Sequence, residues 1–130
     1  MSKNTIKIAN CSGFYGDRLS AAKEMVDGGP IDVLTGDYLA ELTMAILYGQ
    51  KIQRGEKAGY VGTFLKQLKQ IASSCSEKNI KVVSNAGGLN PKSMAEEVKN
   101  ILDSEGLNLK VAYIDCLLYT SPSPRDSTVS

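Results

Sequence analysis

Apolar positions alternate between two rhythms along the chain. Ile6-Lys7-Ile8-Ala9, Ile31-Asp32-Val33-Leu34, Ile80-Lys81-Val82-Val83-Ser84 and Leu109 to Ile114 are short runs with the β-branched content of strands. Between them the period lengthens to that of a helix. Leu19, Ala22, Met25 and Val26 share one face after an expected N-cap at Asp17, and Gly28-Gly29-Pro30 stops that helix. A second helix is expected to begin near Tyr38. Its Leu39, Leu42, Met44, Ala45, Ile46 and Leu47 make it apolar nearly all round, which predicts burial. The polar, glycine-bearing stretch from Lys51 to Gly62 reads as a surface loop. Thr63 is placed to cap a third helix, whose face is Phe64, Leu68, Ile71 and Cys75. Asn90-Pro91 starts a fourth, with Met94, Val98, Ile101 and Leu102 inward and Gly106 ending it.

Strands and helices alternating at this spacing predict parallel pairing with right-handed crossovers. The expected class is α/β: a Rossmann-like parallel sheet with helices on both faces, incomplete in this chain. The first part of a (β/α) barrel is the alternative, because four such units would also begin one.

Composition narrows the function classes. The 130 residues suffice for one domain, and 42% hydrophobic with 22% charged residues is a globular balance. A net charge of +1 gives no general attraction to polyanions, so neither nucleic acid nor a membrane surface is expected as a partner. The start lacks the apolar core of a signal peptide, and no run reaches the roughly 20 apolar residues of a bilayer span. Cysteines at 11, 75 and 116 have no metal-like spacing, so the cytoplasm is the expected compartment. Histidine is absent, which leaves acid–base chemistry to carboxylates, Tyr, Lys or Cys.

The last fifteen residues break the pattern. Two of the four prolines lie here, at 122 and 124. The run Cys116 to Asp126 is, residue for residue, the in-frame translation of a transposase adapter used in sequencing libraries. Residues 1–115 are therefore read as the N-terminal part of a truncated α/β domain, and 116–130 as a non-native tail without functional claim.

Ligands of parallel α/β folds bind at the carboxyl ends of the strands. The three loops expected there combine glycine with hydroxyl, amide or carboxylate groups: Asn10 to Asp17, Thr35 to Glu41 and Ser84 to Pro91. Asp37 and Glu41 lie one helical turn apart, where two carboxylates can act as acid and base or hold a divalent ion. With Asp17 they form the catalytic candidates. Ser12, Gly13, Gly36, Asn85, Gly87, Gly88 and Asn90 are the ligand-binding candidates, with glycine amides and a helix start suited to an anionic oxygen. Capping alone would explain Asp17 and Asn90, and competes evenly with function for Asp37. Gly87-Gly88 has the simpler reading of a tight turn. Cys11 reads as a wall or core residue rather than a nucleophile, and Tyr15 and Tyr38 as packed aromatics. No Walker loop and no G-x-G-x-x-G occurs, and the sequence specifies neither metal nor cofactor.

Ser-Gly-Phe-Tyr-Gly-Asp at 12–17, Leu-Thr-Gly-Asp-Tyr-Leu-Ala-Glu at 34–41 and Asn-Ala-Gly-Gly-Leu-Asn-Pro at 85–91 together resemble the signature loops of the acyclic terpene utilisation (AtuA) family. The resemblance covers residues 5–115 and implies a longer parent protein. It also implies a bacterial role in breaking down terpenes such as citronellol and geraniol. With the residues present, that suggests an enzyme acting on a branched acid or its coenzyme A thioester. The implied partner is a small molecule, an acyl-CoA among the candidates, and self-association is left open. A non-catalytic binding or assembly subunit of the same pathway is the alternative.

Overall fold

The computed structural model describes residues 5–115, so the expectation for residues 116–130 lies outside the described residues. Three short strands pair in parallel in chain order: β1 (Ile8–Asn10), β2 (Val33–Gly36) and β3 (Lys81–Ser84). The register aligns Ile8, Val33 and Lys81, then Ala9, Leu34 and Val82, then Asn10, Thr35 and Val83. Because side chains alternate across a strand, Ala9, Leu34 and Val82 share one face, and Leu34 is only 1% exposed. The opposite face carries Ile8 and Val83, which are 64% and 58% exposed. The protein is an open α/β sheet of the incomplete Rossmann-like kind expected.

Four helices fill the connections: α1 (Ala21–Asp27), α2 (Glu41–Arg54), α3 (Gly62–Lys78) and α4 (Pro91–Ser104). Helix α3 is central because its 17 residues serve two cores. Ile71 and Cys75 pack with Ala22 and Val26 of α1, Leu34 of β2, Cys11 and Ile80. Phe64, Leu68 and Ala72 pack with Tyr38, Leu47 of α2, Val61, Ala86, and Ile101 and Leu102 of α4. Burying a side chain the size of Leu34, Leu47 or Ile71 contributes roughly 1.5–3 kcal/mol.

Several expected boundaries move. Helix α1 begins after Ser20, not at Asp17. Helix α2 begins at Glu41 rather than Tyr38 and continues through Arg54, into the stretch expected to be loop. It is also not buried all round. Thr43 and Leu47 face inward, while Leu42, Tyr48 and Ile52 are 72%, 61% and 67% exposed. No side chain caps α3; Thr63 is its second residue. The expected fourth strand, Leu109 to Ile114, forms no ladder among the described residues. Leu107, Leu109 and Val111 still turn inward with a period of two and pack on the α2–α3–α4 core. The alternation seen in the sequence is met by packing alone.

The start of α4 follows expectation. Asn90 accepts from the Ser93 amide at 3.3 Å, with Pro91 in the first turn. Its Nδ2 donates to the carbonyls of Glu56 at 2.6 Å and Ala58 at 2.9 Å, tying the loop after α2 to this helix. Asn90→Ala should therefore cost about 1–3 kcal/mol in urea unfolding, and a loss below a few tenths would mean that the cap contributes nothing. Among the described residues no helix is long and apolar enough to cross a membrane.

Candidate functional site

Parallel pairing brings the carboxyl ends of the three strands together, and the loops that follow them are hydrogen-bonded to one another. The Asp37 amide donates to the Ser12 carbonyl at 2.9 Å, joining the β2 loop to the β1 loop. The Tyr38 amide donates to Oδ1 of Asn85 at 2.9 Å, joining the β2 loop to the β3 loop. Asn85 then returns its own Nδ2 to Oδ1 of Asp37 at 2.7 Å. One side chain therefore reads both a backbone amide and the neighbouring carboxylate. Asp37 and Asn85 are exposed, whereas Ser12 is buried beneath them. Asp37 does not cap α2, whose N-cap is Ala40 without a side-chain bond. Among the described residues nothing bonds to Oδ2 of Asp37, so that oxygen is available to a ligand or a proton.

A buried polar trio underlies this pair. Tyr38 is 2% exposed, with its ring against Gly36 and edge-on to Phe64 at 6.1 Å. A Cβ on Gly36 would stand 2.6 Å from that ring, so glycine is required for Tyr38 to lie there. The Tyr38 hydroxyl donates to Oε1 of Gln67 and stands 3.8 Å from Sγ of Cys11. Nε2 of Gln67 donates to the Leu19 carbonyl at 3.3 Å. Burial pushes the Tyr38 phenol up, and the adjacent Cys11 thiol adds to the shift. Burial also raises the Cys11 thiol, against the opposing effect of its contact with the Tyr38 hydroxyl. Both groups are thus neutral near pH 7, which suits Cys11 as a wall residue.

The other candidates occupy separate positions. Both oxygens of Asp17 serve its own loop, accepting from the amides of Gly13 at 2.9 Å and Arg18 at 2.8 Å. Oγ of Ser12 donates to the Phe14 carbonyl at 3.0 Å. Glu41 opens α2, exposed and without a polar partner among the described residues. Asp37 lies before that helix, past an extended Ala40, so the two carboxylates do not stand one helical turn apart as expected. Gly87 and Gly88 form a tight turn in which the Gly88 amide donates to the Asn85 carbonyl and the Asn90 amide to the Gly87 carbonyl. That turn fixes the backbone from which Asn85 reaches Asp37. A polar cleft of 320 Å³ lies elsewhere, between α4 and the loop before α3, lined by Lys57, Tyr60, Ser93, Glu96, Glu97 and Asn100. It holds none of the candidates. Among the described residues no three His, Cys, Asp or Glu side chains come together as metal ligands.

The two amide bonds hold the Asp17 carboxyl below its ordinary value of 3.8. The lowered group stabilises the fold above that value, and the contribution is lost as pH falls through the folded-state pKa. Urea midpoints of the wild type and Asp17→Asn should differ near neutral pH and converge at the acid end. Parallel curves throughout would show that the carboxylate is not linked to folding.

Sequence reasoning missed Gln67. Its signal was present: a long polar residue directly before Leu68, on a helical face otherwise made by Phe64, Leu68, Ile71 and Cys75. The family model described as acyclic terpene utilisation family protein AtuA matches residues 6–120. The chain belongs to this family. The AtuA match takes in all three strand-end loops and runs five residues past the boundary expected at 115. No curated protein and no solved structure matches the chain. Membership of the AtuA family implies involvement in acyclic terpene utilisation.

Proposed function

We propose that the Asp37–Asn85 pair is the acid–base centre of a cytoplasmic enzyme acting on a branched acyclic isoprenoid acid or its coenzyme A thioester, in bacterial breakdown of alcohols such as citronellol and geraniol. The observation that carries this reading is the doubly bonded Asn85, which takes the Tyr38 amide and gives to Asp37. A carboxylate pinned through Oδ1, with Oδ2 open, can accept a proton from the carbon beside a thioester carbonyl or from an attacking water. The glycine-containing loops on either side let a ligand approach the backbone closely. Glu41, four residues on from Asp37 at the start of α2, and the Ser12–Asp17 loop are the further groups offered to it.

A binding or assembly subunit of the same pathway is the second reading. The closed Asp17 loop favours it, because that carboxylate is committed to its own backbone. Calorimetric titration of the full-length protein with a branched isoprenoid acid and its thioester, followed by product analysis, separates the two. Turnover of either compound supports the enzyme. Binding without turnover supports the subunit, and neither removes the site.

A further inference from the structure

We propose that Gln67 is a positioning residue for the Asp37–Asn85 pair, holding Tyr38 so that its amide keeps Asn85 turned toward the carboxylate. This rests on the reading of that pair as the functional centre. Gln67 is 3% exposed, on a helical face that otherwise buries Phe64, Leu68, Ile71 and Ala72. An amide in such a place is costly unless fully bonded, and an apolar side chain of similar shape would serve the core as well. Gln67 is bonded at both ends: Oε1 receives the Tyr38 hydroxyl, and Nε2 donates to the Leu19 carbonyl. It thereby joins the β1 loop and the β2 loop to α3. From the Tyr38 ring the chain of contacts passes to its own amide, then to Oδ1 of Asn85, then from Nδ2 of Asn85 to Asp37. Gln67 touches no ligand-facing atom; it acts through Tyr38.

The test separates positioning from stability. Tyr38→Phe/Gln67→Met replaces the bonded pair with apolar groups of nearly the same shape, so packing is retained while the link is cut. In the full-length protein, nuclear relaxation of the Asn85 side-chain amide should report a rigid group in the wild type, with an order parameter of about 0.85. It should fall below about 0.6 in the double variant while the melting midpoint stays within a few degrees. Gln67→Met alone should give the same loss of order, since the Tyr38 hydroxyl then keeps only Cys11 beside it. Unchanged Asn85 order in either folded variant overturns the proposal. So does failure of both variants to fold, which would assign the trio to stability. The readout needs no ligand, so it stands or falls separately from any activity toward isoprenoid thioesters.

Discussion

Asp37→Asn should abolish turnover of the full-length protein, or reduce it by roughly 10²–10⁴-fold if the carboxylate is the general acid or base. Stability should change by no more than about 0.5 kcal/mol, because the side chain is exposed and Asn supplies the same Oδ1 to the Asn85 amide. The substitution removes the charge and the free basic oxygen while preserving size and the bond from Asn85. The discriminating value comes from α2, which has Ala40 at its N-cap, so no capping term confuses the result. Steady-state kinetics beside urea unfolding is the measurement. Full activity in Asp37→Asn would make the carboxylate structural and return the function to the assembly reading.

Gly88→Ala should be the most damaging single-methyl change in the domain. Gly88 has φ +57°, and a Cβ there would lie 2.6 Å from Cδ1 of Leu47 and 2.9 Å from the Gly59 carbonyl oxygen. The side chain of Leu47 is fully buried and Gly59 is backbone, so neither neighbour can yield cheaply. Overpacking of this kind costs about 1–3 kcal/mol, and the left-handed conformation adds roughly 1 more. Gly49→Ala is the control. A Cβ at Gly49, within α2, meets nothing within 4 Å. It should be neutral or stabilise by up to about 1 kcal/mol, through helix propensity alone. Equal effects of the two substitutions, read as denaturant midpoints, would mean that the turn after β3 is not packed as described.

The sequence expressed the alternation of elements better than their edges, and the reasons are physical. Asn90-Pro91 was legible because cap and first-turn proline are local chemistry, and both stand where expected. The first strand was not legible at its start. Lys7 is tied to Asp32 by its amide to Oδ2 and by its carbonyl to the Asp32 amide, both at 2.8 Å, and the ladder opens only at Ile8. Such a tie depends on a residue 25 positions away. In α2 the apolar count predicted full burial, yet hydrophobicity states which faces tolerate burial, not which face meets a neighbour. At the site, loop composition marks Asp37 and Asn85 as candidates at the same end of the sheet, but not as bonded partners. Their partnership needed the parallel register that sets β2 beside β3. Gln67 escaped because its role lies in two bonds to other loops, and periodicity records only that its position faces inward.

The two described thiols give the molecule an internal clock. Cys11 and Cys75 are 6% and 4% exposed, share the cluster that fastens α1 and α3 to the sheet, and are both raised in pKa chiefly by burial. An alkylating reagent can reach them only while that seam is parted, and even then only a small thiolate fraction reacts. With Cys116 changed to Ser, labelling rates followed by mass therefore count openings of the helix layer from the sheet. Cys11, three residues before Phe14 in the β1 loop, would report openings that begin at the candidate centre. Cys75, three residues from the end of α3, would report those that begin at the opposite side of the seam. If Cys11 is trapped faster, the site end of the domain breathes first, and ligand entry has a physical gate to work against.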